Sequence, residues 1–468
     1  MTLIKSISGI RGTMGGKEGE GSTPIDAVKF TASFCQMMQT QHAKRDIRVV
    51  VGRDARISGE MISALVCNTL VAMGARVVNL GLSTTPSVEV AVTRLQADAG
   101  IILTASHNPK QWNALKLLNH IGEFISAEEG ENVLRIAESG DVVFADIDQL
   151  GTYEEADFLH EHIASVCALP LVNADAIRSA QLLVAVDAVN STGGIYIPEL
   201  LRALGVEHIE CIHCHPDGHF PHNPEPLPEH LTDISNLVVE KQCDLGIVVD
   251  PDVDRLAFVC EDGSVFGEEY TLVAVADYVL KHKPGNTVSN LSSTRALRDV
   301  TIQHGGAYTA AAVGEVNVVK AMKSTQAVIG GEGNGGIIYP EAHYGRDALA
   351  GLALFLSHVA EMKMTMTALR KSYPSYEISK NKIELDPKLD VDALLKEIIA
   401  MFPEAEVNLL DGVKFDFADG WVHLRKSNTE PIIRIIAEHQ TRELATALAQ
   451  QVMDVARDIS AKQLETIS

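Results

Sequence analysis

The sequence predicts an α/β protein: three related α/β domains on mixed, largely parallel sheets, then a C-terminal α+β domain. Three observations predict this. The chain has 468 residues, too many for one core and suited to about 3–4 domains. A strand–helix–strand rhythm recurs through the first 370 residues or so, and such units build parallel sheets with helices on their faces. Beyond that point the rhythm gives way to hairpin strands and a closing helix. We place the domains at 1–152, 153–258, 259–370 and 371–468.

In the first unit, Ile47–Val51 reads as a strand, Glu60–Met73 as a helix stopped by Gly74, and Ala75–Leu80 as the next strand. In the second, Leu182–Val186 is a strand, Ile195–Leu204 a helix closed by Gly205, and Leu245–Val249 another strand. The third runs through Thr287–Leu291, Val316–Met322 and Ala327–Ile329. In the fourth, Val413–Phe417 and Trp421–Leu424 flank the turn residues Asp419-Gly420, with a strand over Ile432–Ala437 and a helix from Thr441.

Three apolar strands end in unusual loops: Ile101-Ile-Leu-Thr-Ala-Ser106-His-Asn-Pro109, Asp250-Pro-Asp252-Val-Asp254-Arg255, and Gly330-Gly-Glu-Gly-Asn-Gly-Gly336. Ligands of α/β sheets gather beyond the carboxyl ends of strands, so these loops are candidates for one cleft. Asp250, Asp252 and Asp254 stand at i, i+2 and i+4; on an extended segment they would point one way and converge. Three carboxylates that close repel unless a cation sits among them, and a hard oxygen set suits Mg²⁺. An EF-hand loop would place Glu261 at its twelfth position. Its sixth would be Arg255 instead of the Gly that turn needs, and Leu256–Cys260 reads as strand.

Ser106 sits where a strand bends into a loop that Pro109 keeps open, with its hydroxyl exposed. A serine needs activation or prior phosphorylation to act as a nucleophile, and an ordinary Ser turn is the plainer reading of this segment alone. Lys116 offers charge or acid–base chemistry, although by itself it reads as a surface lysine. Arg425-Lys-Ser427-Asn428-Thr429-Glu-Pro431 combines a guanidinium fork with hydroxyl and amide donors, a good anion grip, and Arg434 can add a second fork. Ser8-Gly9-Ile10-Arg11-Gly12 sets an Arg between glycines, which suits backbone close to an anion.

Two matches are dismissed. Gly331-x-Gly333-x-x-Gly336 fits the dinucleotide fingerprint by letter, but Pro340 blocks the helix it must open. Cys211-x-x-Cys214-His215 fits a haem c attachment site, which needs an exported protein. With His213, His219 and His222 nearby the stretch offers zinc-ligand types, but an ordinary polar loop is the better reading.

With 39 basic and 62 acidic residues the formal net charge is −23, and no basic tract stands out. This argues against nucleic acid and against an anionic membrane surface as partners. No apolar stretch suits a membrane span or a signal peptide, and seven scattered cysteines fit a reducing cytoplasm.

Taken in order, Thr104–Pro109, Asp250–Arg255, Gly331–Gly336 and Arg425–Pro431 give the chain a full-length resemblance to the α-D-phosphohexomutases. The resemblance implies an isomerase that moves a phosphoryl group between the 6- and 1-positions of a hexose through a phosphoserine and a bound sugar bisphosphate. It implies that Ser106, as phosphoserine, with Asp250, Asp252 and Asp254 holds Mg²⁺, with Arg255 in support. It places Arg11, Lys116 and His107 with the serine as the catalytic group. Glu332 and Asn334 would contact ring hydroxyls. Arg425, Ser427, Asn428 and Thr429, with Arg434, would hold the non-reacting phosphate. Many members carry Gly-Glu-x-Ser-Gly-His in the sugar loop, whereas Gly-Glu-Gly-Asn-Gly-Gly here resembles the archaeal-type phosphoglucosamine mutase branch. The expected substrate is therefore glucosamine 6-phosphate, with neutral hexose phosphates the alternative. A metal-dependent phosphatase with a phosphoserine intermediate and a non-catalytic sugar-phosphate binder are remoter. A monomer or homodimer is expected.

Overall fold

The computed structural model describes residues 2–6, 9–386, 389–426 and 432–467. The chain divides into two compact units: Met1–His282 with Asn334–Arg370, and Lys283–Gly333 with Lys371–Ser468.

The first unit holds a seven-stranded sheet ordered Leu3–Ser6, Gly9–Thr13, Trp112–Leu118, Ala99–Leu103, Arg48–Arg53, Arg76–Leu82 and Thr152–Glu155. The last four run parallel, and the first three join antiparallel. Its central strands are apolar on both faces. Val49, Val51, Ile101 and Leu103 pack with Phe30, Phe34, Ile62 and Leu70 of the helices Pro24–Gln41 and Gly59–Ala72. Val50, Val78 and Ile102 face the other way, onto Val88, Ala91 and Val92 of the helix Thr85–Arg94. A strand buried on both sides is a continuous Val/Ile/Leu run, which is why these segments are legible as strands. Thr23 and Asp26 form a capping box that starts the first helix.

A second sheet in this unit is ordered Leu256–Cys260, Leu245–Val249, Leu183–Asp187, His208–Ile212. Its last three strands are parallel and Leu256–Cys260 is antiparallel to its neighbour. Each of the first two sheets thus carries antiparallel strands that a pure strand–helix–strand reading does not foresee: a hairpin return leaves no helix in the sequence to announce it.

In the second unit, Thr287–Asn290 pairs parallel with Tyr308–Ala311 and with Ile329–Glu332, flanked by the helices Ala296–Gln303 and Glu315–Thr325. A five-stranded antiparallel sheet follows, ordered Glu377–Glu384, Ile432–His439, Trp421–Lys426, Val413–Asp416, Glu406–Asn408. Phe415, Val422, Ile433 and Ile435 from its strands bury against Leu394 and Ile398 of the helix Val391–Ala400 and Val452 and Ala456 of Arg442–Ile467. The α+β character expected after residue 370 is thereby met. The letters of the dinucleotide fingerprint lead into a strand, Gly336–Ile338, not a helix.

Candidate active site

The acidic triplet follows Val249, whose strand ends in a tight turn. The backbone of Asp250–Asp254 is not extended as expected: the Val253 amide donates to the Asp250 carbonyl at 3.1 Å, and Val253 has φ +61°. The turn folds back so that the amides of Asp254 and Arg255 donate to Asp250 Oδ1 at 3.2 and 3.1 Å. Convergence comes from this turn instead of from strand alternation. All three side chains are fully buried, and one ligand oxygen from each lies within 4.8 Å of the others. Burial, then repulsion by Asp254 and Asp252, pushes the Asp250 carboxyl well above its ordinary range. Glu261 stands apart from the triplet, accepting from the Thr367 amide and hydroxyl.

Ser106 meets this cluster directly: its hydroxyl donates to Asp250 Oδ2 at 2.8 Å. The expectation of an exposed hydroxyl is corrected, since Ser106 is only 7% exposed. Pro109 does keep the chain out of a helix, but the loop folds inward with Ser106 at φ +49°, the left-handed region that non-glycine residues seldom occupy. Arg56 holds it there. Its guanidinium donates to the carbonyls of Asn108 at 2.6 Å, Pro109 at 2.8 Å, Trp112 at 3.1 Å and also Ser106, while Nε bonds Asp54 Oδ2 at 2.9 Å. All five donors of the guanidinium are used. Asp54 also accepts from Thr104 Oγ1 at 2.6 Å, and Thr104 Oγ1 accepts from the Ser106 amide at 2.9 Å.

Lys116 is no surface lysine. Its Nζ lies 2.6 Å from Asp252 Oδ2 and 3.4 Å from Asp254 Oδ2. Burial alone would lower its pKa; the two carboxylates outweigh that and raise it, so it stays an ammonium ion. Arg346 donates to Asp254 Oδ2 at 2.7 Å. Burial would raise the Asp254 carboxyl, but Arg346, Lys116 and Arg255 hold it below its ordinary range. The demand of three acids for countercharge is therefore met in part by the protein's own cations. Arg255 reaches Glu225 at 3.1 Å, and His107 lies 4.0 Å from Glu225 with Nδ1 3.4 Å from Ser106 Oγ. Burial, and then Arg255, keeps His107 well below the ordinary histidine range and therefore neutral. Arg11 stands on the neighbouring strand opposite Ala114, on the sheet face that Lys116 shares.

Two oxygens of the triplet, Asp252 Oδ1 and Asp254 Oδ1, are buried with no hydrogen-bond partner. Unsatisfied buried carboxylate oxygens are costly, and a dication relieves them. With Asp250 and the Ser106 hydroxyl they make an all-oxygen donor set, which fits Mg²⁺.

The second unit carries the other candidates. Glu332 is buried and accepts from Asn290 Nδ2 at 2.8 Å and the Gly314 amide at 3.1 Å. Arg425 Nε lies 2.9 Å from Asp411 Oδ2, and Arg434 is its cross-strand partner. Ser427, Asn428 and Thr429 lie outside the described residues. Asn334, in the first unit, accepts from the Gly336 amide at 3.2 Å. Asp54, Arg56, Arg346 and Asp411 were not foreseen. The only signal in the sequence is the charged end of a strand, Gly52-Arg-Asp-Ala-Arg56, for the first pair.

Comparison with known proteins agrees with this picture along the whole chain. Models of the four phosphoglucomutase/phosphomannomutase domains, the alpha/beta/alpha domains I, II and III and the C-terminal domain, match residues 3–143, 160–263, 267–376 and 387–455. The chain belongs to this family. It is a phosphohexomutase, an isomerase. It is 33% identical over 440 residues to a "Phosphoglucomutase/phosphomannomutase" of Thermococcus kodakarensis, covering 93% of this chain and 95% of that one. It is also 33% identical over 455 residues to a "Probable phosphoglucosamine mutase" of Methanopyrus kandleri, covering 96% and 97%. The crystal structure of a phosphoglucomutase/phosphomannomutase family protein from Burkholderia thailandensis superposes with a TM-score of 0.84 at 26% identity, covering 98% of each chain. Among the described residues no helix is long and apolar enough to cross a membrane.

Proposed function

We propose that this phosphohexomutase interconverts glucosamine 6-phosphate and glucosamine 1-phosphate. The observation that carries the chemistry is the Ser106 hydroxyl bonded to Asp250 beside Asp252 and Asp254, whose Oδ1 atoms have no hydrogen-bond partner. Asp250, Asp252 and Asp254 with Ser106 would hold Mg²⁺, which would neutralise charge on the phosphoryl group in flight.

In the proposed cycle Ser106 carries the phosphoryl group in the resting enzyme and passes it to the free hydroxyl of the hexose monophosphate. The Ser106 Oγ–P bond breaks, an O–P bond to the sugar forms, and the sugar hydroxyl proton leaves to a base. The sugar bisphosphate then turns end for end and returns its other phosphoryl group to Ser106. Lys116, held as a cation between Asp252 and Asp254, and Arg11 on the same sheet face supply positive charge near the serine, with Arg255 in support. His107, kept neutral 3.4 Å from the serine oxygen, is placed to take a proton. Glu332 and Asn334 are assigned to ring hydroxyls, and Arg425, Ser427, Asn428, Thr429 and Arg434 to the phosphate that is not reacting. Exclusion of water keeps the phosphoserine from hydrolysis.

The glucosamine assignment rests on the loop Gly331-Glu-Gly-Asn-Gly-Gly336 and on similarity to proteins named as phosphoglucosamine mutases. A second reading, neutral hexose phosphates, is favoured by equal identity to a protein named for glucose and mannose phosphates. The proposal takes 1–152, 153–258, 259–370 and 371–468 as the domains, a monomer or homodimer as the working unit and the cytoplasm as the compartment.

The test is kcat/KM for glucosamine, glucose and mannose phosphates with Mg²⁺ and a trace of the matching bisphosphate. A preference for the amino sugar supports the proposal; equal or faster turnover of the neutral sugars rejects it. Arg425→Ala is expected to raise KM and slow mutase turnover. If phosphoryl transfer to the sugar were unaffected, a phosphatase would fit better.

A further inference from the structure

We propose that Asp187, His213 and His222 form a second metal site, taking a borderline transition dication such as Zn²⁺, separate from the all-oxygen cluster around Asp250. Asp187 ends the strand Leu183–Asp187 and pairs with Ile212 at the end of the next parallel strand, so His213 emerges beside it. His222 returns to the same point from the following loop. Asp187 Oδ2 lies 3.0 Å from His213 Nδ1 and 3.1 Å from His222 Nε2. Two ligands held about 2.0–2.1 Å from one tetrahedral ion sit roughly 3.3 Å apart, so both Asp187–His pairs are close to the needed spacing, and all three ligand atoms lie within 4.8 Å of one another. Asp187 is 1% exposed.

The outer face of each ring strengthens the assignment. His222 Nδ1 lies 2.8 Å from the Asn223 carbonyl, and His213 Nε2 lies 3.7 Å from Asp233 Oδ2. His222 thus has a hydrogen-bond acceptor at both nitrogens, while a neutral ring has one N–H to give. A metal at the Asp187 vertex takes the lone pair of the inner nitrogen and leaves the outer N–H facing its acceptor. That is the usual support of a metal-bound histidine. Asp187 Oδ1 accepts from the Val189 amide at 2.9 Å, which fixes the carboxylate. Cys214 takes no part: its thiol faces the carbonyls of Val186 and Ile212.

The site closes the base of a loop that reaches the catalytic residues. Within it Phe220 lies under the Arg56 guanidinium, 5.1 Å from ring centroid to carbon, and just beyond His222 Glu225 bonds Arg255. A metal here would therefore fasten the segment that carries Phe220 against Arg56, the residue that grips the serine loop.

The experiment titrates Co²⁺ into the full-length protein with Mg²⁺ in saturating excess and follows the visible d–d bands. The proposal expects a single equivalent with the strong bands of a nitrogen-containing, low-coordinate site, displaced by Zn²⁺, lost in His222→Ala and kept in Asp252→Asn. No such bands in the wild type, or bands undiminished in His222→Ala, would overturn it in favour of two protonated histidines around Asp187. Should His222→Ala misfold, X-ray absorption of Zn²⁺ on the wild type decides. Imidazole scattering supports the site, and an all-oxygen shell rejects it.

Discussion

Lys116 Nζ stands 2.6 Å from Asp252 Oδ2, so a cation is built into the cluster that we assign to Mg²⁺. The ammonium group satisfies Asp252 Oδ2 and Asp254 Oδ2, and Asp252 Oδ1 and Asp254 Oδ1, which have no hydrogen-bond partner, would be left to hold the metal. Lys116→Met should therefore lower kcat by ~10²–10³-fold. It should leave the apparent Mg²⁺ affinity equal or higher, because the carboxylates then have less competing positive charge. Steady-state rates across a Mg²⁺ series check this; a lost rate restored by excess Mg²⁺ would contradict it.

Asp252→Asn removes one of three mutually repelling buried acids. We expect turnover to fall severely with the fold intact. Mg²⁺ at about 100 times its Kd should stabilise the wild type by roughly 2.7 kcal/mol, and the variant by clearly less. Thermal melts with Mg²⁺ and with a chelator read both quantities.

Arg56→Met leaves Asp54 as a buried carboxylate with no cation, a change that costs about 3–5 kcal/mol. The double variant with Asp54→Asn should recover part of that loss, as denaturant unfolding can show. Activity should not return, because four loop carbonyls still lack their donor.

His423 accepts from Ser292 Oγ at 2.9 Å and donates to the Asp411 carbonyl at 2.6 Å, the pattern of a neutral ring. Burial lowers its pKa to about 4, below the 6.5 expected when unfolded. Between those values the unfolded chain binds the proton and the folded chain does not, so stability falls as pH drops from 6.5 towards 4. The loss is bounded at on the order of 3 kcal/mol. In His423→Gln the decline over this window should be shallower, as denaturant midpoints at several pH values would reveal.

Much of the frame was legible because burial on both faces writes itself as apolar runs; Leu245–Val249 and Leu256–Cys260 stand where the residues place them. The serine and acid motifs were legible because their residues are close in sequence. Arg346 and the grip of Arg56 on the serine loop were not, since Asp254 lies 92 residues from Arg346 and the loop carbonyls 50 to 56 from Arg56; only the Asp54–Arg56 pair is local. The triplet's geometry was misjudged for a related reason. Alternation presumes a continuing strand, and Val253 in the left-handed region ends it.

Arg56 grips the serine loop by main-chain carbonyls and leaves the Ser106 hydroxyl untouched. None of these bonds has to break when that oxygen gains or gives up a substituent. The tether is blind to the chemical state of the side chain it positions. A loop held this way offers the same landing point to an outgoing and an incoming group, which a reaction run in two mirrored halves requires.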